Sequence, residues 1–496
     1  MNLPTKYGAN DSRNGASAAE RNEVTCKMEK QKEYNQCGKT CACGDCPQDG
    51  MCRAWAAFVE KHDKCKGYAH FDRRVSLGME QVRSYVTDAD KIAAHGFYPF
   101  IHFERKNPRY GRKGPKKPRE LYYCSHMDRC VYQRYAFLIN YYYNIRAREE
   151  GIDQAAIAYR DNLGKDNIAF AKEVFDAIRG LNRCLVIVGD FTDFFDKLDH
   201  DYLKQRLCEV LCVEWLPEDY FAVFKNITRF ASWDWEDIVR AAGEDIDQRG
   251  IQKKLNQKRT VLSRPQFLEN TGCIRKNTSG VGIPQGSPIS AVLANVYMLR
   301  FDKTIQEYAA DKGGIYRRYS DDFIIAIPIT AEDEAKEHID YVFHYIDTLG
   351  GLVELQREKT SLYLFENDSV RAYPSGESGI IDYLGFWFDG RNIRIRPRSI
   401  TKYYYRMRRK ARTIGRSHWQ SPTGKRITAR NLYQIYSHSE TKQTFIDYAK
   451  KATRVLGLRD PEASAVIKKH KQKIAQAIKK ARNSGENGDR GKQGQK

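Results

Sequence analysis

Two adjacent carboxylates in an otherwise strand-like stretch constrain this chain more than any other feature. Gly314-Ile315-Tyr316-Arg317-Arg318-Tyr319-Ser320-Asp321-Asp322-Phe323-Ile324-Ile325-Ala326-Ile327-Pro328 is β-branched and aromatic on both flanks, with turn formers at its centre. That pattern predicts a hairpin with Ser320-Asp321 at its tip. Acids held side by side repel, and such a pair is easiest to understand if a divalent cation neutralises it. Two solvated turn residues are the plainer alternative.

Two further stretches weigh against the plain alternative. The apolar run Cys184-Leu185-Val186-Ile187-Val188 predicts a buried central strand, with Asp190 where that strand emerges. Gly282-Ile283-Pro284-Gln285-Gly286-Ser287-Pro288 reads as a turn leading into a helix, with Ser287 as N-cap and Pro288 at the first helical position. Beyond it Ile289, Val292, Leu293, Val296 and Leu299 recur at helical spacing. The succession Asp190, Pro284-Gln285-Gly286 and Tyr319-Ser320-Asp321-Asp322 resembles motifs A, B and C of reverse transcriptases. One four-residue match would be weak; three in order, each in its expected local structure, are specific.

The resemblance implies an α+β, right-hand polymerase with fingers, palm and thumb, preceded by a Cys-rich N-terminal extension. Its expected parts are the extension at 1–74, fingers at 75–180, palm at 181–390 with an insertion at about 203–280, a basic helical thumb at 391–482 and a tail at 483–496. It implies catalysis by Asp190, Asp321 and Asp322, with Phe191 beside them in holding two magnesium ions, for which manganese can substitute. It also implies that Lys117, Arg119, Asp193, Phe194, Phe195, Gln285 and Lys359 contact the incoming dNTP. Phe195 would lie beneath the sugar, where its ring leaves no space for a 2′-hydroxyl. Leu384 and Gly385 fall in the primer grip, where glycine permits close approach to the primer end. Asp128-Arg129 and the acids Asp196 and Asp199 are expected to support the fold.

Charge and composition bear on partners. The formal net charge of +21 attracts polyanions, and nucleic acid is the usual one. No run approaches the roughly 18 apolar residues of a membrane span, and the polar start Met1-Asn2-Leu3-Pro4-Thr5-Lys6 has no signal-peptide core, so a cytoplasmic location is expected. Residues 105–119 hold eight basic residues and no acid, suiting a loop that closes over a triphosphate or holds template backbone. From Gly390 to Ser439, fifty residues hold 14 lysines and arginines and no acid, which argues for a surface lying along phosphates. Arg408, Arg409 and Lys410 are its expected RNA contacts. Tyr403, Tyr404, Tyr405 and Trp419 stand among the charges, either to stack on bases or to pack in a helix core.

Seven of the 13 cysteines crowd between Cys26 and Cys65. Cys43-Gly44-Asp45-Cys46 has the gap that lets two thiolates grip one zinc, which Cys37 or Cys41 with Cys52 or His62 would complete. Reduced, non-ligating cysteines are the alternative.

The length of chain beyond the primer grip narrows the kind of reverse transcriptase. About a hundred residues remain after Leu384-Gly385, enough for a thumb but too few for the DNA-binding and endonuclease regions of group II intron enzymes. The Asn-Ala-x-x-His and Val-Thr-Gly signatures of retron enzymes are absent. The best resemblance is to stand-alone bacterial defence (antiphage) enzymes that make cDNA and work with a structured noncoding RNA, some as homo-oligomers. A group II intron-type or retron-type enzyme, or a non-catalytic RNA-binding protein on a polymerase scaffold, is the alternative.

Overall fold

The computed structural model describes residues 49–105, 118–248, 250–421, 424–437, 444–457 and 460–490. They divide between two compact units, one formed by 1–149 with 193–299 and the other by 150–192 with 300–496. Among the described residues the strands in chain order are β1 (Phe100–Arg105), β2 (Arg119–Tyr123), β3 (Arg183–Asp190), β4 (Ala231–Asp234), β5 (Arg275–Lys276), β6 (Ile315–Tyr319), β7 (Asp322–Pro328), β8 (Ser361–Glu366), β9 (Ser369–Ala372), β10 (Ile381–Tyr383), β11 (Phe386–Phe388) and β12 (Ile393–Ile395).

The first unit is built on a four-stranded sheet in the order β2-β1-β4-β5. β1 and β2 pair antiparallel from Ile101↔Tyr123 to Arg105↔Arg119, and β4 joins β1 in parallel, Trp233 opposite Ile101. The stretch expected as an insertion thus supplies two strands to this sheet. Trp233 is fully buried, stacked at 5.3 Å on Phe71, with Ile238, Val239, Leu255 and Leu262 around it. Trp215 of the same stretch is 72% exposed. The long helix His126–Glu149 is buried along most of its length. At its start Asp128 accepts from the Tyr98 amide at 3.0 Å and meets His95 at 2.9 Å, while Arg129 donates to the Val75 carbonyl at 2.8 Å. Both groups are buried, and these bonds tie the start of the helix to the segments before it, in keeping with the fold-supporting reading.

The second unit holds the five-stranded antiparallel sheet β6-β7-β3-β8-β9. β3 lies in the middle, which is why its residues Cys184 to Ile187 are apolar without alternation and all buried. The helix Asn167–Gly180, capped by Asp166, packs Ile168, Ala171, Val174, Phe175 and Ile178 into the same core. A three-stranded sheet β10-β11-β12 comes next, then four helices among the described residues, Pro397–Arg416, Ala429–Tyr436, Phe445–Leu456 and Pro461–Arg490. In the first of these Ile400, Tyr403, Tyr404, Met407, Ala411 and Ile414 recur at three- and four-residue intervals and are buried, which turns every arginine and lysine outward. Tyr403 and Tyr404 therefore belong to the helix core. Gly415 lets this helix approach Pro461–Arg490 closely: a Cβ there would stand 2.5 Å from the Ala481 carbonyl oxygen.

The described part of motif B departs from expectation at one point. The helix begins at Ser290 and not at Pro288, and Ser287 does not cap it. Ser290 Oγ instead reaches back to the Pro284 carbonyl at 2.7 Å, which keeps the turn folded for three more residues.

Beside the carboxylates, Gly189 faces Phe323 across the β3–β7 ladder, and a Cβ would lie 2.4 Å from the ring's Cζ. Gly189→Ala must push Phe323 out of a fully packed core, a change that costs about 1–3 kcal/mol. We expect a melting temperature lowered by several degrees in thermal unfolding; an unchanged midpoint would show that the ring has room to move.

Candidate active site

β6 and β7 meet in a two-residue loop, with Tyr319 opposite Asp322 and Ser320-Asp321 between them. Ser320 takes the left-handed conformation, φ 64, that such a tight loop needs at its first position. The hairpin tip read from the sequence is therefore present, residue for residue. Asp322 also lies directly opposite Asp190 on β3. Cross-strand partners project from the same face with Cβ atoms about 5 Å apart, so the ladder alone brings two carboxylates together.

The backbone around Asp190 is pinned from both sides. Its carbonyl accepts from the Gln356 amide at 2.9 Å, the Phe191 amide donates to the Asp321 carbonyl at 3.1 Å, and the Thr192 amide to the Glu354 carbonyl at 2.8 Å. Lys359, at the end of the short helix Arg357–Lys359, places its Nζ 3.7 Å from Asp190 Oδ2. The Lys359 side chain is exposed, so the pair is weakly held. The Asp322 carboxyl is pushed up to about 7. Loss of water around the hairpin base is the largest cause, the charges of Asp321 and Asp190 come next, and Arg396 opposes them. Solvent still reaches the Asp322 side chain, and its two carboxylate neighbours stand close enough to disfavour a third negative charge.

Among the described residues no group of three His, Cys, Asp or Glu side chains stands close enough to enclose a metal ion. The donor chemistry of Asp190, Asp321, Asp322 and the Phe191 carbonyl nevertheless fits one. All are hard oxygen donors, which suit magnesium or manganese, and a carboxyl whose neighbours raise its proton affinity is one that a cation would relieve. Four of the five candidate zinc cysteines, Cys37, Cys41, Cys43 and Cys46, lie outside the described residues. Cys52 is half-buried on the helix Asp49–His62, where His62 Nδ1 lies 2.8 Å from the Phe58 carbonyl oxygen.

The remaining candidates divide between the units. In the second unit Leu384 and Gly385 form the two-residue loop between β10 and β11, both with positive φ, 47 and 94. A leucine in that region is strained, and the loop is held accordingly. Asn167 Nδ2 donates to the Leu384 carbonyl at 3.0 Å and to the Tyr448 hydroxyl at 3.1 Å, and the Arg396 amide donates to the Gly385 carbonyl at 3.0 Å. Arg396 Nε also meets Asp382 at 2.7 Å. None of these supporting residues was singled out from sequence, because Asn167 and Leu384 are 217 positions apart and share no motif. Arg408, Arg409 and Lys410 are exposed on the outer face of the helix Pro397–Arg416.

In the first unit Arg119 is exposed at the start of β2. Lys117 lies outside the described residues. Further along β2 the Tyr122 amide donates to the Gln285 carbonyl at 2.8 Å, which ties the motif B turn to the strand that Arg119 begins. Asp193 is exposed at φ 45, Phe194 is buried, and half-buried Phe195 meets it edge-on at 5.5 Å. The Phe195 carbonyl accepts from the Ile283 amide at 2.9 Å, so the end of motif A is laced to the start of motif B.

An acid-bearing hairpin set beside the exit of a buried central strand, on an antiparallel α+β scaffold, defines the palm of a right-hand polymerase. The reverse transcriptase (RNA-dependent DNA polymerase) family profile matches residues 112–388, more than half of the sequence, and the chain belongs to that family. Solved structures similar to it include apo telomerase from Candida tropicalis truncated from its C-terminal domain, at 8% identity and a TM-score of 0.38 over 65% of this chain and 61% of that one. Telomerase from Candida albicans in complex with the TWJ fragment of telomeric RNA matches at 10% identity and 0.35, over 89% of this chain and 73% of that one. Apo telomerase from Candida tropicalis matches at 11% and 0.35, over 94% and 80%. The chain thus spans about three fifths of the truncated telomerase. No curated protein matches in sequence.

Gly286 is where the motif B turn touches β2 most closely. It stands at φ 117, and a Cβ would lie 2.3 Å from the Tyr122 carbonyl oxygen. Gly286→Ala must lift the turn from the strand at a cost of about 1–3 kcal/mol. We expect a melting temperature lowered by several degrees in thermal unfolding, and an unchanged midpoint would count against the close docking.

Proposed function

We propose that this chain is an RNA-directed DNA polymerase that copies a structured noncoding RNA, or a template held with it, into cDNA as part of antiphage defence. The observation that carries the enzymatic part is the register that sets Asp190 opposite Asp322, with Asp321 at the adjoining turn. A binding module has no use for carboxylates gathered against their own repulsion, which disfavours a non-catalytic scaffold. Asp190, Phe191, Asp321 and Asp322 would hold two magnesium ions, which when bound activate the primer 3′-hydroxyl and neutralise charge on the departing pyrophosphate.

The other roles come from the family resemblance together with the local geometry of each residue. Arg119, exposed at a strand start, and Lys117 take the triphosphate, while the amides of Asp193 and Phe194 approach it. Phe195 excludes a 2′-hydroxyl by bulk. Lys359, whose Nζ lies 3.7 Å from Asp190 Oδ2, would meet the charge on the leaving group, a role the resemblance implies. The strained Leu384-Gly385 loop, tied to Asn167, holds the primer end. The outward basic face of the helix Pro397–Arg416 supports an RNA-associated kind of enzyme. No helix among the described residues is long and apolar enough to cross a membrane, and the reading places the enzyme in the cytoplasm. A structural zinc in the Cys-rich extension belongs to the same reading.

Primer extension tests the chemistry. Asp321→Asn with Asp322→Asn should lower magnesium-dependent dNTP incorporation at least a thousandfold in a protein that still melts cooperatively. In the same assay Phe195→Ala should raise ribonucleotide use relative to deoxynucleotide use. Normal incorporation by the folded double variant would sink the assignment.

RNA association has its own measurement. Reversing charge at Arg408, Arg409 and Lys410 should weaken binding of the co-purifying RNA and flatten its salt dependence by about two to three in log–log slope, because fewer counterions are released. Equal affinity and equal slope across a salt series would remove the RNA-holding role. Sequencing that RNA, and challenging cells carrying the gene with phage, tests the defence role; no protection would overturn it.

A further inference from the structure

The turn that carries Asp321 depends on a left-handed serine and on a buried guanidinium. Ser320 at φ 64 adopts a conformation that L-residues other than glycine and asparagine seldom take. Its carbonyl accepts from Arg318 Nη1 at 2.9 Å. Arg318 is fully buried, and its other edge grips Asp302, also fully buried, through Nε to Oδ1 at 2.7 Å and Nη2 to Oδ2 at 2.6 Å. The Tyr316 hydroxyl donates to the same Oδ1 at 2.7 Å. The loop at 152–160 adds a second support. The Arg318 amide donates to the Ala155 carbonyl at 2.8 Å, and its own carbonyl accepts from the Ile157 amide at 3.0 Å. Tyr159, itself at φ 62, then donates its hydroxyl to Ser320 Oγ at 3.0 Å.

Stability alone is a poor account of this arrangement. A buried ion pair gives back little beyond the desolvation it costs, and well-packed apolar residues of similar size commonly serve as well. What apolar residues cannot do is fix a particular carbonyl in a particular turn. The fork of an arginine can, since two of its edges are committed to different acceptors at fixed angles. Asp322 needs no such device, because the β3–β7 ladder holds it opposite Asp190. Asp321 lies in the loop, past the last ladder pair.

We propose that Asp302, Arg318 and Tyr159 are positioning residues that fix the Ser320-Asp321 turn and so aim the Asp321 carboxylate. The proposal rests on the polymerase reading and adds to it a set of residues outside the three motifs' acidic positions. Arg318 acts from the strand before the turn, Asp302 from the helix Leu299–Asp311, and Tyr159 from a loop after the first unit's long helix. Exposed Tyr159 is the part that can be changed without disturbing the core.

The test removes the pair without stranding a charge. Arg318→Met with Asp302→Leu should stay folded, with a melting temperature within a few degrees of wild type. Its kcat for primer extension should fall at least tenfold while the KM for dNTP stays within about twofold. Manganese binding, read from the paramagnetic signal of the free ion, should weaken by a similar factor. Tyr159→Phe and Ser320→Ala should each lower kcat about threefold with no loss of stability. Arg318→Lys with Asp302 retained should not rescue, because an ammonium lacks the fork. A folded Met/Leu variant with wild-type kcat and manganese affinity would overturn the proposal; if that variant does not fold, wild-type kcat in both Tyr159→Phe and Ser320→Ala overturns it instead. An inactive wild type would overturn the polymerase reading itself, so the two failures are distinguishable.

Discussion

The structure depends first on one antiparallel pairing, β3 with β7, which sets Asp190 against Asp322 and leaves Asp321 at the adjoining turn. Like charges at directly opposed positions destabilise a sheet, and Asp190 adds to the burial and the Asp321 charge that raise the proton affinity of Asp322. The expense is borne by the rest of the strand. Leu185, Val186 and Ile187 are completely buried in the middle of the sheet, so the carboxylate end is carried on a rod that has little freedom to separate. A slip of one residue would send the acids to opposite faces and the apolar side chains to the wrong ones, so the same burial that stabilises the sheet also protects its register.

The polar groups that complete the site repeat this logic on a smaller scale. The Leu384-Gly385 loop is strained and is held by Asn167, which is itself bonded to Tyr448 from a later helix. The Ser320-Asp321 loop is strained and is held by Arg318 and Tyr159. In each case a backbone conformation that the residues would not choose alone is stabilised by side chains far away in sequence. Within the first unit, the tail of motif A and the head of motif B are joined by main-chain bonds between Phe195 and Ile283 and between Leu198 and Gly282. Gly282, at φ 84, makes that approach feasible, because a Cβ would stand 2.8 Å from the Asp196 carbonyl oxygen.

Local pattern was enough to determine two elements. The β3 strand and the two-residue tip at Ser320-Asp321 arise from periodicity and turn chemistry, and both are present. The start of the motif B helix was misread because Ser287-Pro288 has the composition of an N-terminus. The bond from Ser290 to the Pro284 carbonyl and the docking of Gln285 on β2 outweigh that preference. The stretch at about 203–280 was expected as an insertion, and nothing in its composition announces that β4 pairs in parallel with a strand about 130 residues earlier.

What the sequence determined by itself is the identity of the acids and the segments that carry them, because hydrophobic period and turn residues act over a few positions. What only the tertiary structure decided is which distant groups meet them: Lys359 beside Asp190, Asn167 under Leu384, and Asp302 clasping Arg318. One trace of the last was legible, since Arg318 shares an inward strand face with Tyr316 in an otherwise apolar core. Its partner was not, because a buried charge is matched by whichever side chain packing brings within reach, and packing is a property of the whole fold.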